Sequence, residues 1–407
     1  MPDNIPDGIY DVAVIGCGPA GSISAYNLAK KGLRVAAFDK EEFPRYKSCG
    51  GCLSTKAQKV LDFDVSEVSD LAVYGATFSF KSARFLDIIS ERPVGYNVRR
   101  DAFDNFLKDR AKTAGAKIFE NCRVREVTEE GSFFTVACEG NRNSRARFVV
   151  FADGAGGIGR RYFRLEKKEC AVSITAEVPC DPSRMEGFRG RLFIDFGSVP
   201  SGYCWIFPKK DVLSIGIAAD SLRVGGRIRQ YFDGFISSHG VLKNLRVENK
   251  AGWTIPLYYG KGAELTRGRA VAVGDAGHLV DPFLGEGIYY AIASANAASS
   301  AIADSIGKGT VDLTSYQDWL RKEVYPGFSY LLRLSELVYN HPRLWYRLVE
   351  KEPQIMLRYY NVIRGEESPG DFYRWVAAKV KQKPWKVLRG WLESRFIGFG
   401  EPGKDSP

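Results

Sequence analysis

Four groupings in the 407-residue chain have the residue types and spacing to do chemistry. Gly16-Cys17-Gly18-Pro19-Ala20-Gly21 is a G-x-G-x-x-G turn, and Asp39 follows Gly21 by 18 residues. This combination binds a dinucleotide. The first glycine permits a tight turn, the second lets the backbone approach a pyrophosphate, the third lets helix and strand pack closely, and the carboxylate accepts from ribose hydroxyls. Cys49-Gly50-Gly51-Cys52 sets a thiol before two glycines and makes a C-x-x-C. A thiol there can donate a proton, shape a pocket or form a reversible disulfide with Cys52. A metal centre would need a second such pair at suitable spacing, which the sequence lacks, so no metal is expected. Tyr203, Trp205 and Phe207 alternate along one segment, which points all three rings to one side of a strand. Gly274-Asp275-Ala276-Gly277-His278 is followed by Pro282 to Gly287, a Gly-flanked turn that brings backbone amides to the start of a helix. His278 reads as an orienting or packing residue, and the absence of a G-x-S-x-G elbow argues against a serine hydrolase.

The elements that must position these groups are legible in outline. Tyr10 to Ile15 is a short apolar strand, Ala20 to Lys30 has helical spacing with Gly32 as its stop, and Leu33 to Phe38 is a second strand, so the chain opens as βαβ. Ala102 to Ala114 reads as a helix, and Arg147 to Ala152 and Ala270 to Val273 as buried strands. From Ala171 to Ala219, short β-branched and aromatic runs separated by Pro and Gly suggest an antiparallel sheet. Beyond about Thr310 the pattern is helical and punctuated by proline, and it holds five of the seven tryptophans, Trp319, Trp345, Trp375, Trp385 and Trp391.

Two further glycine motifs, Asp153-Gly154 at mid-chain and Gly274-Asp275 late in the chain, join the G-x-G-x-x-G turn in the order expected of an FAD fold. Together they resemble the glutathione-reductase-like fold of the para-hydroxybenzoate hydroxylase superfamily. Pro44-Arg45-Tyr46-Lys47-Ser48-Cys49-Gly50-Gly51 resembles the P-x-x-x-x-C-G-G motif of the geranylgeranyl reductase family. Gly202 to Lys209 is similar to that family's Y-x-W-x-F-P motif, and Asp281 to Ile288 to its loop beside the flavin. The resemblance runs from about Tyr10 to Gly309. It implies an α/β, overall α+β, architecture: a Rossmann-type FAD domain of residues 1–75, 96–165 and 265–310, an inserted antiparallel-sheet substrate domain of residues 76–95 and 166–264, and a helical C-terminal region, 311–407. It further implies that FAD is held by Gly16, Gly18, Ala20, Gly21, Asp39, Lys40, Cys49, Gly50, Arg100, Asp153, Gly154, Gly274, Asp275, Gly285, Gly287 and Ile288. Asp275 would bond the ribityl or phosphate part and Arg100 would lie near the pyrophosphate. Cys49, Tyr203 and Trp205 are then the catalytic candidates, and Tyr203, Trp205, Phe207 and Pro282 line the substrate pocket.

The implied reaction saturates C=C bonds of a polyprenyl chain, carried by a diphosphate or a prenylated lipid, through hydride transfer from reduced flavin N5 and protonation of the adjacent carbon. An isolated alkene needs a dry pocket, close alignment and a proton source, and in this setting the Cys49 thiol is either that source or a wall. A second reading within the superfamily is a monooxygenase or halogenase, although the halogenase W-x-W-x-I-P segment departs here at Tyr203 and Phe207. No second strand–GxGxxG–helix unit exists, so the reductant is NAD(P)H at a transient site, a ferredoxin-like protein or another soluble donor.

The composition, 45% hydrophobic and 26% charged, is that of a globular protein and excludes a disordered or collagenous chain. Eight cysteines without a paired framework suggest a reducing compartment. The acidic, proline-containing start is unlike a signal or transit peptide, so a cytoplasmic protein is expected. The most apolar stretch, Ile288 to Ile306, is interrupted by Ser294, Asn296, Ser299, Ser300 and Asp304 and reads as a buried helix rather than a span. The 58 Lys and Arg against 48 Asp and Glu leave a charge of +10. Residues 307–407 hold 17 basic and 12 acidic residues, +5, beside most of the tryptophans. That suits contact with an anionic membrane face or a diphosphate; nucleic acid is not an expected partner.

Overall fold

The computed structural model describes residues 8–140, 142–165, 170–243 and 245–382. Strand Ile9–Ile15 lies at the centre of the first sheet, flanked in parallel by Val35–Phe38 and Arg142–Phe151. Lys117–Phe119 and Ala270–Ala272 extend the parallel set on either side. The central strands are covered on both faces, which is why Val12, Ala13, Val14, Ala36 and Ala37 form nearly continuous apolar runs with no alternation. A hairpin, Val124–Glu130 with Phe133–Cys138, pairs antiparallel onto the N-terminal half of Arg142–Phe151.

Helix Pro19–Lys30 starts with proline in its first turn, where no intrahelical N–H is needed, and ends before Gly32, whose φ is +80°. It packs on helix Arg100–Thr113 and on the 20-residue helix Ile288–Gly307. The polar residues that interrupt the apolar run of the latter make specific contacts. The Ser294 hydroxyl accepts from Gly274 N at 3.0 Å, and the Asn296 amide accepts from Asn27 Nδ2 at 2.8 Å and donates to Val60 O at 2.7 Å. No helix among the described residues is long and apolar enough to cross a membrane.

The second sheet has seven strands, in the order Ala251–Ile255, Ala171–Pro179, Val212–Asp220, Gly202–Pro208, Arg191–Phe196, Gly75–Phe80 and Ala83–Ile89. The expectation of an antiparallel sheet needs one correction: Arg191–Phe196 pairs with Gly75–Phe80 in parallel. Gly75–Phe80 leaves the chain before the excursion through the first sheet, and only so long a crossover allows a parallel pair. Cys52–Ser54, Gly95–Val98 and Ser69–Val73 form a separate small antiparallel sheet. Helices Tyr325–Asn340, Pro342–Lys351 and Gln354–Arg364 lie against the Arg191–Phe196 and Gly75–Phe80 side of the second sheet.

Trp345 in this region is 3% exposed, and Trp319 and Trp375 are half-buried against the same core. The described C-terminal tryptophans are thus used in packing and do not form an exposed lipid-facing face. Trp385 and Trp391 lie outside the described residues.

Candidate functional site

The Gly-rich turn follows strand Ile9–Ile15 directly, and its glycines are required by backbone packing. Gly16 has φ +94°, and a Cβ there would sit 2.5 Å from Ala152 O. A Cβ on Gly21 would overlap the Gly16 carbonyl oxygen. At Gly18 a Cβ would meet only the Arg45 guanidinium, at 3.6 Å. The second glycine therefore faces open cavity, which is the opening a pyrophosphate needs. Asp39, 7% exposed, ends strand Val35–Phe38, and its carboxylate accepts from Cys17 N at 2.7 Å and Glu41 N at 3.0 Å. Each oxygen keeps a free lone pair beside the turn. Lys40, next to it, is exposed and paired with Glu41. Ala20 packs against Gly274, whose would-be Cβ lies 3.0 Å from the Ala20 methyl.

Arg100 sits at the start of helix Arg100–Thr113 and forms a bidentate pair with Asp104, both contacts 2.8 Å, one helical turn away. Asp104 is fully buried and takes a second guanidinium, Arg45, at 3.2 Å. Two cations on one carboxylate leave a positive wall beside the Gly-rich turn, suited to a diphosphate. Arg45 and Asp104 were missed as site residues by sequence reasoning. The signals were present: Arg45 lies in the Pro44–Gly51 motif, and Asp104 stands at i+4 from Arg100.

Asp153 and Gly154 both line the cavity, with different duties. Asp153 accepts from Gly159 N at 3.0 Å, and its carboxylate occupies the space a Gly157 side chain would take, so it holds the loop that Gly154 opens at φ +75°. Burial pushes its carboxyl up from the ordinary value. Gly274, φ +57°, turns the chain so that Asp275 faces Gly287 at the start of helix Ile288–Gly307; a Gly287 Cβ would lie 3.6 Å from Asp275 Oδ1. His278 adopts φ +56°, is buried, and makes an edge contact with Tyr259, which fits the packing role.

The Cys49-Gly50-Gly51 segment lies against strand Gly202–Pro208. A Cβ on Gly50 would be 2.7 Å from the Phe207 ring and 3.3 Å from Trp205 Nε1. Gly51 has φ +78° and backs onto Val98 O. The two glycines are thus explained by an aromatic wall above and a strand below. Tyr203, Trp205 and Phe207 do form that wall, with ring centroids 5.9 and 6.2 Å apart. Gly216 on the neighbouring strand leaves room for the Trp205 indole. The Tyr203 hydroxyl donates to Leu284 O at 2.7 Å, and Tyr339 from helix Tyr325–Asn340 donates to Phe283 O. The Pro282–Gly287 turn is therefore held from two elements, with Gly285 at φ +70° beneath Tyr203. Cys49 accepts at its sulfur from Gly51 N at 3.4 Å, and it and Cys52 are both free thiols.

Lys47 is a third residue not foreseen. Its ammonium lies 3.3 Å from the Trp253 ring centroid. Burial lowers its pKa to about 8; the nearby Arg100 adds to this and Asp275 opposes it.

Gly16, Gly18, Asp39, Arg45, Lys47, Cys49, Arg100, Asp153, Tyr203, Trp205, Phe207, Asp275 and Gly287 line one cavity of about 1280 Å³. That is more than the roughly 300–1,000 Å³ of a pocket for one small molecule. One end holds the Gly-rich turn. The other is an apolar arm between Ala76, Phe78 and Ile194 of the second sheet and Met356, Tyr359 and Tyr360 of the C-terminal helices. An open face at Gly18, a carboxylate at the strand end and the Arg45–Asp104–Arg100 wall fit the dinucleotide part of FAD, and the remaining volume fits a long apolar ligand.

Residues 11–186 match the lycopene cyclase protein family. A digeranylgeranylglycerophospholipid reductase of Methanothermobacter thermautotrophicus is 30% identical over 81% of this chain and 88% of its own length. An uncharacterized protein of Methanosarcina barkeri is 32% identical over 88% of this chain and 90% of its own. Among solved structures, a geranylgeranyl bacteriochlorophyll reductase-like protein of Thermoplasma acidophilum superposes with a TM-score of 0.72 at 26% identity, covering 81% of this chain and 87% of that one. A flavin-dependent brominase, at 19% identity and a TM-score of 0.70 over 92% of this chain and all of that one, shares the fold.

Proposed function

We propose that this chain, which belongs to the geranylgeranyl reductase family of flavoproteins, is an FAD-dependent oxidoreductase that saturates C=C bonds of a polyprenyl chain carried by a diphosphate or a prenylated lipid. The observation that carries the reading is the single cavity that joins a dinucleotide cradle to an apolar arm, with the Tyr203–Trp205–Phe207 wall and Cys49-Gly50 at the junction. Bound FAD, once reduced, supplies a hydride.

The chain's own residues do the rest. Gly16, Gly18, Gly21 and Asp39 hold the dinucleotide end, and Arg45 and Arg100 offset its diphosphate charge. Asp275, Gly285 and Gly287 bring a carboxylate and backbone amides to the far end of the cofactor. Tyr203, Trp205, Phe207 and Pro282 exclude water and align the alkene, and Cys49 completes the wall beneath it. The apolar arm takes the rest of the prenyl chain. The reductant is NAD(P)H or a ferredoxin-like protein, and the basic surface of the chain favours weak, salt-sensitive contact with anionic membrane.

The test is anaerobic. Reduced holoenzyme mixed with geranylgeranyl diphosphate or a geranylgeranylated ether lipid is expected to reoxidise its flavin, and the product mass to rise in steps of two hydrogens. Cys49→Ser is expected to slow this by about tenfold or more while FAD stays bound. Failure of every prenyl substrate to reoxidise the flavin, or substrate-dependent oxygen uptake as in a monooxygenase, would overturn the reading.

A further inference from the structure

We propose that Asp281 is the acid that delivers the proton to the alkene carbon, an inference that rests on the reductase reading. Asp281 is 2% exposed and lines the cavity beside Pro282. Its backbone is pinned in the turn, with its N–H donating to Glu286 O at 3.2 Å and its carbonyl accepting from Gly285 N at 3.1 Å. One carboxyl oxygen accepts from Phe283 N at 2.6 Å. No cation is paired with the carboxyl among the described residues, because the nearby Lys56 of helix Thr55–Lys59 is committed to Glu286 at 2.5 Å.

The Asp281 charge also bears on buried phenols from four separate elements, Tyr203 of strand Gly202–Pro208, Tyr290 of helix Ile288–Gly307, Tyr339 of helix Tyr325–Asn340 and Tyr359 of helix Gln354–Arg364; the Tyr203 and Tyr339 hydroxyls donate to Leu284 O and Phe283 O of the same turn. Burial pushes the Asp281 carboxyl up to about 7. The Glu286 charge adds to this, while the Phe283 N–H and Lys56 oppose it. Burial raises all four phenols above their ordinary values, which makes them poorer acids at neutral pH. The Cys49 sulfur accepts from Gly51 N at 3.4 Å. A carboxylic acid kept neutral in a dry site is a proton donor of the right strength.

In the step itself the alkene π bond breaks. One carbon gains a hydride from the reduced flavin and its neighbour gains the Asp281 proton, two C–H bonds form, and the carboxylate left behind is reprotonated from water. Donor and product balance as one hydride and one proton per double bond.

The experiment uses FAD-loaded enzyme reduced with dithionite under anaerobic conditions and mixed with geranylgeranyl diphosphate. Asp281→Asn keeps the acceptor for Phe283 N–H but has no acidic proton. It is expected to reoxidise its flavin at least about 100-fold more slowly than the parent. The parent rate is expected to fall as pH rises through about 7, while the residual rate of the variant stays flat. Infrared difference spectroscopy of the parent holoenzyme without substrate supplies a readout independent of turnover and of any variant's folding. A carboxylic-acid C=O band should fade over the same pH interval and be missing in Asp281→Asn. Parent-like reoxidation by Asp281→Asn, or no such band in the parent below neutral pH, overturns the proposal. If the parent itself is not reoxidised, the reductase reading fails, and the infrared titration still decides whether Asp281 holds a proton.

Discussion

Asp104 and Asp281 are both buried carboxyls, and their surroundings give them opposite electrostatics. Asp104 is met by two guanidiniums within 3.2 Å, whereas Asp281 has the backbone N–H groups of Phe283 and Leu284 and a like-charged neighbour, Glu286. A carboxyl held above its unfolded value binds more protons in the folded state, so the stability it contributes is present at low pH and lost as pH rises through the folded value. For Asp281 that window runs from the model-peptide range near 4 up to about 7. The stability of the parent relative to Asp281→Asn is expected to fall across that window in urea titrations at stepped pH; a constant difference would show that the carboxyl is not held neutral. Neither environment could be read from the sequence. Arg100 and Asp104 show their i,i+4 spacing, but Arg45 reaches Asp104 from a loop more than fifty residues away in the sequence. The phenols around Asp281 come from positions 203 to 359.

At the scale of elements, local pattern located the cofactor end within one or two residues. The expected helix from Ala20 runs Pro19–Lys30, the expected strand from Leu33 runs Val35–Phe38, and the apolar stretch from Ile288 is the helix Ile288–Gly307. Such elements are legible because 3.6- and 2-residue periods and glycine stops are properties of the chain itself. What the pattern left undetermined was why a long apolar helix carries Ser294 and Asn296. Both tie the helix to its neighbours, and Ser294 supplies the acceptor for Gly274 N in the turn that presents Asp275. Ser294→Ala leaves that buried N–H unpaired and is expected to cost about 1–3 kcal/mol in unfolding free energy. FAD retention should be weaker too, measured as flavin absorbance per protein after gel filtration. A variant as stable and as flavin-rich as the parent would show that the hydroxyl is dispensable.

At the scale of the whole molecule, the C-terminal helices carry no recognisable motif, yet they form one side of the apolar arm. Met356, 2% exposed, lines that arm with Tyr359 and Tyr360, and the Tyr360 hydroxyl closes against the second sheet by accepting from Ala76 N at 3.0 Å and donating to Ile88 O at 2.8 Å. If the arm holds the prenyl chain, Met356→Trp should lower kcat/KM for a geranylgeranyl substrate roughly tenfold or more relative to a geranyl one. An unchanged ratio would place the chain elsewhere. By itself the sequence determined the dinucleotide turn, its flanking strands and helix, and the aromatic alternation of Tyr203, Trp205 and Phe207, because each depends on backbone geometry over a few consecutive residues. Only the tertiary structure decided that Arg45 and Arg100 share Asp104, that Asp281 is buried with no cation paired to it among the described residues, and that the C-terminal helices line the cavity. Those facts are set by burial and by contacts between residues far apart in the chain, and no local spacing encodes how much water or which partner a side chain will meet.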